Sequence, residues 1–275
     1  MRHSMKALRR PARAVLSACV LLSAATVHAG PVITYGFETE DDLVTPLSHG
    51  QIVDPAFDAP GFSEFGTIFN VSSDVIGSDG HIGVTVFDSD LSGTLDPDLE
   101  VGTGNILILQ NDDTPSRTGD FYDGPNDEAN LNDAGSIIFD FLFPLEPLGI
   151  TVVDANGGYF GTVTLTDENG LTRVYDIPSQ WTTDVTVNLV GYQELDLTTL
   201  ANQPSEPLAA GGDATATEDA GYDPTRVVQL KFSLIGVQGG TSSGGIDSLR
   251  LRIPEPASAL LVGLAACGLA ARRRR

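Results

Sequence analysis

The 275-residue chain has few cysteines and few basic residues. Its two cysteines, Cys19 and Cys267, lie in hydrophobic segments near the ends, so residues 30–253, which we call the body, have none. The body therefore holds no disulfide, and its stability must come from its apolar core or from bound metal. Its 36 acidic residues stand against six basic ones, a net charge of about −30. Because a phosphate backbone needs a basic surface, this balance argues against nucleic-acid binding.

Recognisable catalytic patterns are also missing. The sequence contains no H-E-x-x-H, C-x-x-C or P-loop motif. Residues 240–244 match G-x-S-x-G, but a nucleophile elbow needs a strand before it, a helix after it and a histidine downstream. Here a predicted strand follows, and the histidines of the body, His49 and His81, lie upstream. We expect a flexible loop and no catalytic residues, although two well-placed carboxylates would suffice for a secreted hydrolase.

The first 29 residues have the three parts of a secretory signal peptide. Five basic residues without any acid precede an apolar run from Ala14 to Val27, and the run is followed by His28 and the small residue Ala29. Signal peptidase reads small residues at such a position. Because the run is shorter than the roughly 20 residues that span a bilayer, we predict cleavage after Ala29 rather than a permanent anchor.

The last 22 residues form a second three-part segment. Pro254-Glu255-Pro256 is followed by the uncharged stretch ASALLVGLAACGLAA and then by four arginines. This order resembles the PEP-CTERM sorting signal, and the resemblance implies that an exosortase, a membrane cysteine transpeptidase, removes the tail. The stretch predicts a helix that inserts transiently in the membrane, with the arginines left in the cytoplasm. The alternative is a plain C-terminal anchor.

The body is predicted to be all-β. Short apolar segments recur between turns rich in Gly, Asp, Asn and Pro, at 32–37, 66–71, 82–87, 105–110, 136–143, 149–154, 159–166, 171–176, 184–189, 226–236 and 246–253. Several alternate apolar and polar residues, which is typical of antiparallel sheets with one wet face. Residues 167–170, Asp-Glu-Asn-Gly, predict a hairpin turn. We expect one antiparallel β-sandwich domain, jelly-roll-like, over 30–253, with two long loops, 111–135 and 201–225.

Acidic residues cluster directly after the strand predicted at 82–87. The candidates for metal binding in this loop are Asp88, Asp90, Asp96 and Asp98. Side chains two residues apart in extended chain point the same way, so Asp96 and Asp98 are placed to share a cation. Ca²⁺ takes six to eight oxygen ligands, which such loops can supply together with backbone carbonyls. The alternative is a solvated acidic surface that keeps the protein soluble.

Asp247 is a further candidate ligand. By alternation it shares a side of the last predicted strand with Leu249 and Leu251. A carboxylate on the core side needs compensation, from a metal ion or from the backbone N–H groups of the glycine turn that precedes it.

The two ends of the body carry a second resemblance. Phe37-Glu38 and Gly245-Ile246-Asp247 are similar to the first and last strands of calcium-binding jelly-roll modules, many of which bind carbohydrate. The resemblance implies that these strands are adjacent and that Glu38 and Asp247 bind a structural Ca²⁺. The alternatives are a strand-end glutamate in water and an aspartate that caps a turn.

These observations predict an exported protein of the outer cell envelope or the extracellular matrix. The expected partners are signal peptidase and exosortase during export, and extracellular polysaccharide afterwards. We expect a non-catalytic, structural or adhesive role in biofilm or exopolysaccharide. The alternative is a carbohydrate-binding module that uses the aromatic residues Trp181, Tyr159 and Tyr175.

Overall fold

The computed structural model describes residues 30–39, 45–53, 68–76, 81–94, 96–111, 117–126, 134–154, 161–179, 181–182, 191–205, 212–234 and 244–254. The chain divides into two compact units, Val32–Arg252 and the terminal residues Met1–Pro31 with Ile253–Arg275. The predicted signal peptide and everything after Pro254 lie outside the described residues. Within the described ranges, no helix has the length and apolar character needed to cross a membrane.

The unit Val32–Arg252 is built from antiparallel β-strands, so the all-β prediction is confirmed. The strands are β1 (Val32–Gly36), β2 (Phe69–Ile76), β3 (His81–Asp88), β4 (Asn105–Asn111), β5 (Arg117–Thr118), β6 (Phe121–Tyr122), β7 (Ala134–Val153), β8 (Gly161–Asp167), β9 (Thr172–Ile177), β10 (Tyr192–Asp196), β11 (Thr215–Glu218), β12 (Val227–Leu234) and β13 (Gly245–Arg252). A 3-10 turn at Pro97–Leu99 is the one helical element among the described residues.

The hairpin predicted at residues 167–170 is confirmed. β8 and β9 pair antiparallel, with Thr166 opposite Thr172. The N–H of Gly170 donates to the carbonyl of Asp167 at 3.0 Å. Gly170 has a φ of 78°, which a residue without a Cβ adopts at little cost.

β7 is one strand of 20 residues where the sequence predicts two, at 136–143 and 149–154. It continues through Pro144 and Pro147, which lack the N–H that a strand normally offers to its neighbours. The pairing adjusts beside them. The register with β12 shifts between Val227 and Gln229, and the register with β13 shifts between Arg250 and Leu251. The prolines therefore bring irregular pairing without ending the strand.

The two halves of β7 have different partners. Residues 134–145 pair with β12 and β2, and residues 146–153 pair with β13 and β10. The sheet runs β11-β9-β8-β12-β7-β13-β4-β3, and β1 pairs with β13. β7 thus links a first group of strands (β2, β8, β9, β11 and β12) to a second group (β1, β3, β4, β10 and β13).

Aromatic rings join the two groups in one core. The ring of Phe69 on β2 lies 5.1 Å from that of Tyr35 on β1 and 5.3 Å from that of Phe139 on β7. Phe37 stacks on Phe139 at 6.2 Å. All four side chains are buried, and edge-to-face contacts of this kind add stability beyond the apolar area removed from water.

Two further differences from the sequence prediction concern strands in predicted loops. β11 lies inside the segment 201–225, expected to be a long loop, and pairs with β9 from Thr215 to Glu218. The short β5–β6 hairpin lies inside 111–135. Both contain few aliphatic residues, so the apolar pattern used to predict strands misses them. The predicted strand 184–189 lies outside the described residues.

Candidate functional site

The acidic loop 88–104 is organised by hydrogen bonds from its own backbone. Asp88 Oδ1 accepts from the N–H of Asp90 at 3.0 Å. Glu100 Oε1 accepts from the N–H and the hydroxyl of Thr94, at 2.7 and 2.8 Å. The bond from the Thr94 N–H, and then that from its hydroxyl, lowers the pKa of Glu100. These carboxylates therefore act as hydrogen-bond acceptors within the loop.

Asp96 directly precedes the 3-10 turn, and Asp98 is the second of its three residues. Asp96 is buried, and its N–H donates to Thr94 Oγ1 at 3.3 Å. Its carbonyl lies 2.9 Å from the same hydroxyl, whose one proton it shares with Glu100. The side chain of Asp98 lies outside the described residues. Below this loop, an apolar cluster buries Phe87, Leu99, Ile106, Ile108 and Val153.

Glu38 reaches the same loop from the end of β1. Its Oε1 accepts from the N–H of Asn105 at 3.0 Å. A Cβ at Gly104, which has a φ of 93°, would lie 2.0 Å from that oxygen. The glycine is therefore required for the approach of the carboxylate.

Asp247 lies at an irregularity of β13. The register with β7 shifts between Ile246 and Ser248, so Asp247 is the extra residue of a bulge. The alternation on which its core-side prediction rests is interrupted there: Ile246 is buried together with Leu249, and Asp247 is half-buried. Among the described residues, no three His, Cys, Asp or Glu side chains group closely enough to hold a metal ion.

The predicted aromatic ligands are core residues where the structure describes them. Trp181 is buried, and its Nε1 donates to the carbonyl of Gln203 at 3.3 Å. Tyr175 is also buried, and its hydroxyl donates to the carbonyl of Leu197 at 2.7 Å. Neither ring presents a face to solvent, and Tyr159 lies outside the described residues. Of the predicted processing residues, Pro254 is described and exposed, whereas Ala29, Glu255 and Pro256 are not described.

A buried cation that the sequence analysis missed lies on β9. The Arg173 guanidinium binds the carboxylate of Glu218, donates to the carbonyl of Leu197 at 2.9 Å and lies 4.9 Å from the ring centre of Tyr222. Burial acts to lower the pKa of Arg173, but hydrogen bonds to Glu218 and Tyr175 outweigh it and raise the pKa. Alternation could have identified it, because Arg173 lies two residues before Tyr175 and therefore on the same, buried side of β9. These contacts join β11 to β9, and they occupy the guanidinium so that it is not available to a ligand.

A polar face exposed to solvent is formed by β10, the second half of β7 and β13. Glu194 and Ser248 both lie opposite Thr151, and opposite residues of antiparallel strands share a face. Arg250 Nε donates to Glu194 Oε1 at 2.7 Å, and Ser248 Oγ donates to Thr151 Oγ1 at 3.0 Å. Tyr192, two residues before Glu194, is 55% exposed. We call these five residues the polar face.

Gly149 sets the geometry of the polar face. It lies between Glu194 on β10 and Arg250 on β13, and a Cβ there would lie 2.1 Å from Glu194 Oε1. The missing side chain lets the carboxylate extend across β7 to the guanidinium. The alternation of Leu195 and Leu197 with Glu194 and Asp196 was the sequence signal for this strand, but no strand was predicted there.

Comparisons with known proteins give little further information. No family model matches the chain, and no curated protein matches it. Among solved structures, the chain is similar to that of PfGH50B, with a TM-score of 0.35 and 11% identity. The match covers 68% of this chain and 22% of that one.

Proposed function

We propose that this is an exported protein of the outer cell envelope or the extracellular matrix. In this proposal signal peptidase removes residues 1–29, and an exosortase recognises the PEP-CTERM-like tail from Pro254 onward. The body then acts as a non-catalytic, structural or adhesive component of biofilm or exopolysaccharide.

The pairing of the first and last strands carries the proposal. Val32 lies opposite Arg252, so the first strand of the body begins beside the residue at which the last strand ends. Removal of residues 1–29 and of the tail from Pro254 onward therefore leaves this strand pair whole. Pro254 follows the last strand by two residues and is exposed, as a processing enzyme requires.

A two-layer, jelly-roll-like sandwich is part of the proposal. It is supported by the division of strands into two groups along β7 and by two ring contacts between them. Tyr35 on β1 packs on Phe69 of β2, and Phe37, directly after β1, packs on Phe139 of β7. Strands that pass from one sheet to the other through an irregular stretch are known in sandwiches. The prolines of β7 lie at such a stretch.

A structural role is supported by two carboxyl groups that accept hydrogen bonds from N–H groups of their own loops, Asp167 and Glu100. For Asp167, burial acts to raise the pKa, but bonds from the N–H groups of Asp223, Leu171 and Asn169 outweigh it, and the pKa is lowered. The pKa of Glu100 is lowered as well.

Structural Ca²⁺ remains the proposed cofactor. Glu38 and Asp88 each accept one backbone hydrogen bond through one oxygen, and a carboxylate offers about four lone-pair sites. Both groups therefore keep acceptor capacity for a cation.

Fractionation of the producing cells, with intact-mass analysis of the mature protein, tests the export proposal. We expect the protein in the envelope or medium, with a mass that lacks residues 1–29 and the C-terminal tail. Full-length protein in the cytoplasm would contradict the proposal. As a matched control, Pro254→Ala with Pro256→Ala should leave N-terminal cleavage intact and block loss of the tail.

A further inference from the structure

We propose that the polar face binds neutral polysaccharide, with the ring of Tyr192 as its stacking platform. This inference rests on the proposed function and names the ligand class that a matrix component of this kind would hold. The site consists of Tyr192, Glu194, Thr151, Ser248 and Arg250, on three paired strands.

Tyr192 is the aromatic residue placed to stack on a sugar. At 55% exposure its ring leaves much apolar surface in water, in contrast to the buried Trp181 and Tyr175. Sugar rings carry C–H groups on their faces, and covering them with an aromatic ring removes apolar area of both partners from water. Tyr192 and Glu194 are two residues apart on one strand, a spacing of about 7 Å. A sugar on the ring therefore places its hydroxyls near the carboxylate.

The Glu194–Arg250 pair supplies fixed hydrogen-bonding groups. The side chains are 47% and 39% exposed, so each keeps polar atoms in contact with solvent. Arg250 Nη2 also lies 3.4 Å from the carbonyl of Leu148, which orients the guanidinium. A sugar hydroxyl both donates and accepts, and the pair offers an acceptor beside donors in a set geometry. The hydroxyls of Ser248 and Thr151 continue this row along the face.

Charge selects a neutral chain over an anionic one. Each basic side chain that the structure describes is already ion-paired with a carboxylate: Arg173, Arg226, Lys231, Arg250 and Arg252. On the polar face, the charges of Glu194 and Arg250 balance each other. An anionic polysaccharide would find each of these five cations already paired and would meet a body of net charge about −30.

Affinity electrophoresis of the mature protein tests this inference. The probe is the exopolysaccharide of the producing culture, divided by anion exchange into an unretained, neutral fraction and a retained, anionic fraction. We expect the neutral fraction to retard the protein, and Tyr192→Ala to weaken the apparent affinity at least about tenfold. Tyr192→Phe, which keeps the ring, should stay within about twofold, since stacking needs no hydroxyl.

Two controls keep the result specific. Phe121→Ala removes another exposed ring, on β6, and should leave retardation unchanged. Thermal melting should show that Tyr192→Ala is folded, and Glu194→Gln should weaken binding independently. The inference is overturned if the neutral fraction does not retard the protein, if only the anionic fraction does, or if Tyr192→Ala matches the wild type. None of these results alters the fractionation outcome, so the inference and the export proposal can fail separately.

Discussion

At the scale of single residues, half-buried His49 links the acidic loop to the core. Its Nδ1 accepts a hydrogen bond from the N–H of Asp88 at 3.1 Å, and its ring makes an edge contact with Phe87 at 5.0 Å. Burial lowers the pKa of His49, and the charge of Asp88 opposes this only in part. Because an accepting Nδ1 carries no proton, the folded state favours neutral histidine.

We predict that the protein loses stability as the pH falls from 7 to 5. The unfolded chain has the ordinary histidine pKa of about 6.5 and binds a proton before the folded state does. The free energy of unfolding therefore falls below pH 6.5 and levels off below the lower pKa of the folded state. Urea unfolding at several pH values measures this, and His49→Gln should flatten the dependence. His81→Gln is the matched control; an equal slope in wild type and His49→Gln would count against the assignment.

At the scale of elements, segments outside the named strands complete the edge of β3. The N–H of Gly50 donates to the carbonyl of Val86 on β3 at 2.8 Å, and the N–H of Tyr122 on β6 donates to the carbonyl of Gly50 at 2.8 Å. Gly50 has a φ of 81°, and a Cβ there would lie 2.2 Å from the carbonyl oxygen of Tyr122. This glycine therefore holds two elements together through its backbone alone.

We predict that Gly50→Ala is much more destabilising than Gly93→Ala. Gly93 has a similar φ of 73°, with no atom within 4 Å of an added Cβ. Gly93→Ala should lower the free energy of unfolding by about 1–2 kcal/mol, because alanine must adopt the left-handed conformation there. Gly50→Ala adds a clash with backbone, which costs about 1–3 kcal/mol more. Chemical denaturation of both variants measures the difference, and equal losses would show that the β6 contact is absent.

At the scale of the whole molecule, negative charge dominates. The body carries about −30, and the five basic side chains that the structure describes are already paired, so the remaining carboxylates repel one another. Self-repulsion of this kind destabilises a compact state and is screened by salt. Any cation will therefore stabilise the body to some extent, and a calcium effect must be separated from screening.

We predict that Ca²⁺ raises the melting temperature above its value in Mg²⁺ at equal concentration. A site occupied at 100 times its dissociation constant contributes about 2.7 kcal/mol, or about 5–10 °C for a body of this size. Differential scanning calorimetry with Ca²⁺, Mg²⁺ and chelator measures the shift, and Glu38→Gln should reduce the calcium increment. If chelator leaves the melt unchanged, or both cations act equally, the structural calcium site is contradicted.

The sequence by itself determined the all-β class and the hairpin at residues 167–170, because alternation and turn chemistry are local properties. It also determined the charge of the body. The continuity of β7 through Pro144 and Pro147 was not predictable in this way, since partners distant in the chain sustain the pairing there. The side on which Asp247 lies was decided by a bulge, which shifts the alternation without a marker in the sequence.

The tertiary structure alone decided which aromatic and charged residues reach solvent. Trp181 and Tyr175 were reasonable ligands from composition, but packing buries both. Tyr192, Glu194 and Arg250 are separated by up to 58 residues and meet because β10 and β13 flank the same half of β7. Exposure and juxtaposition depend on contacts between remote segments, so local sequence patterns do not contain them.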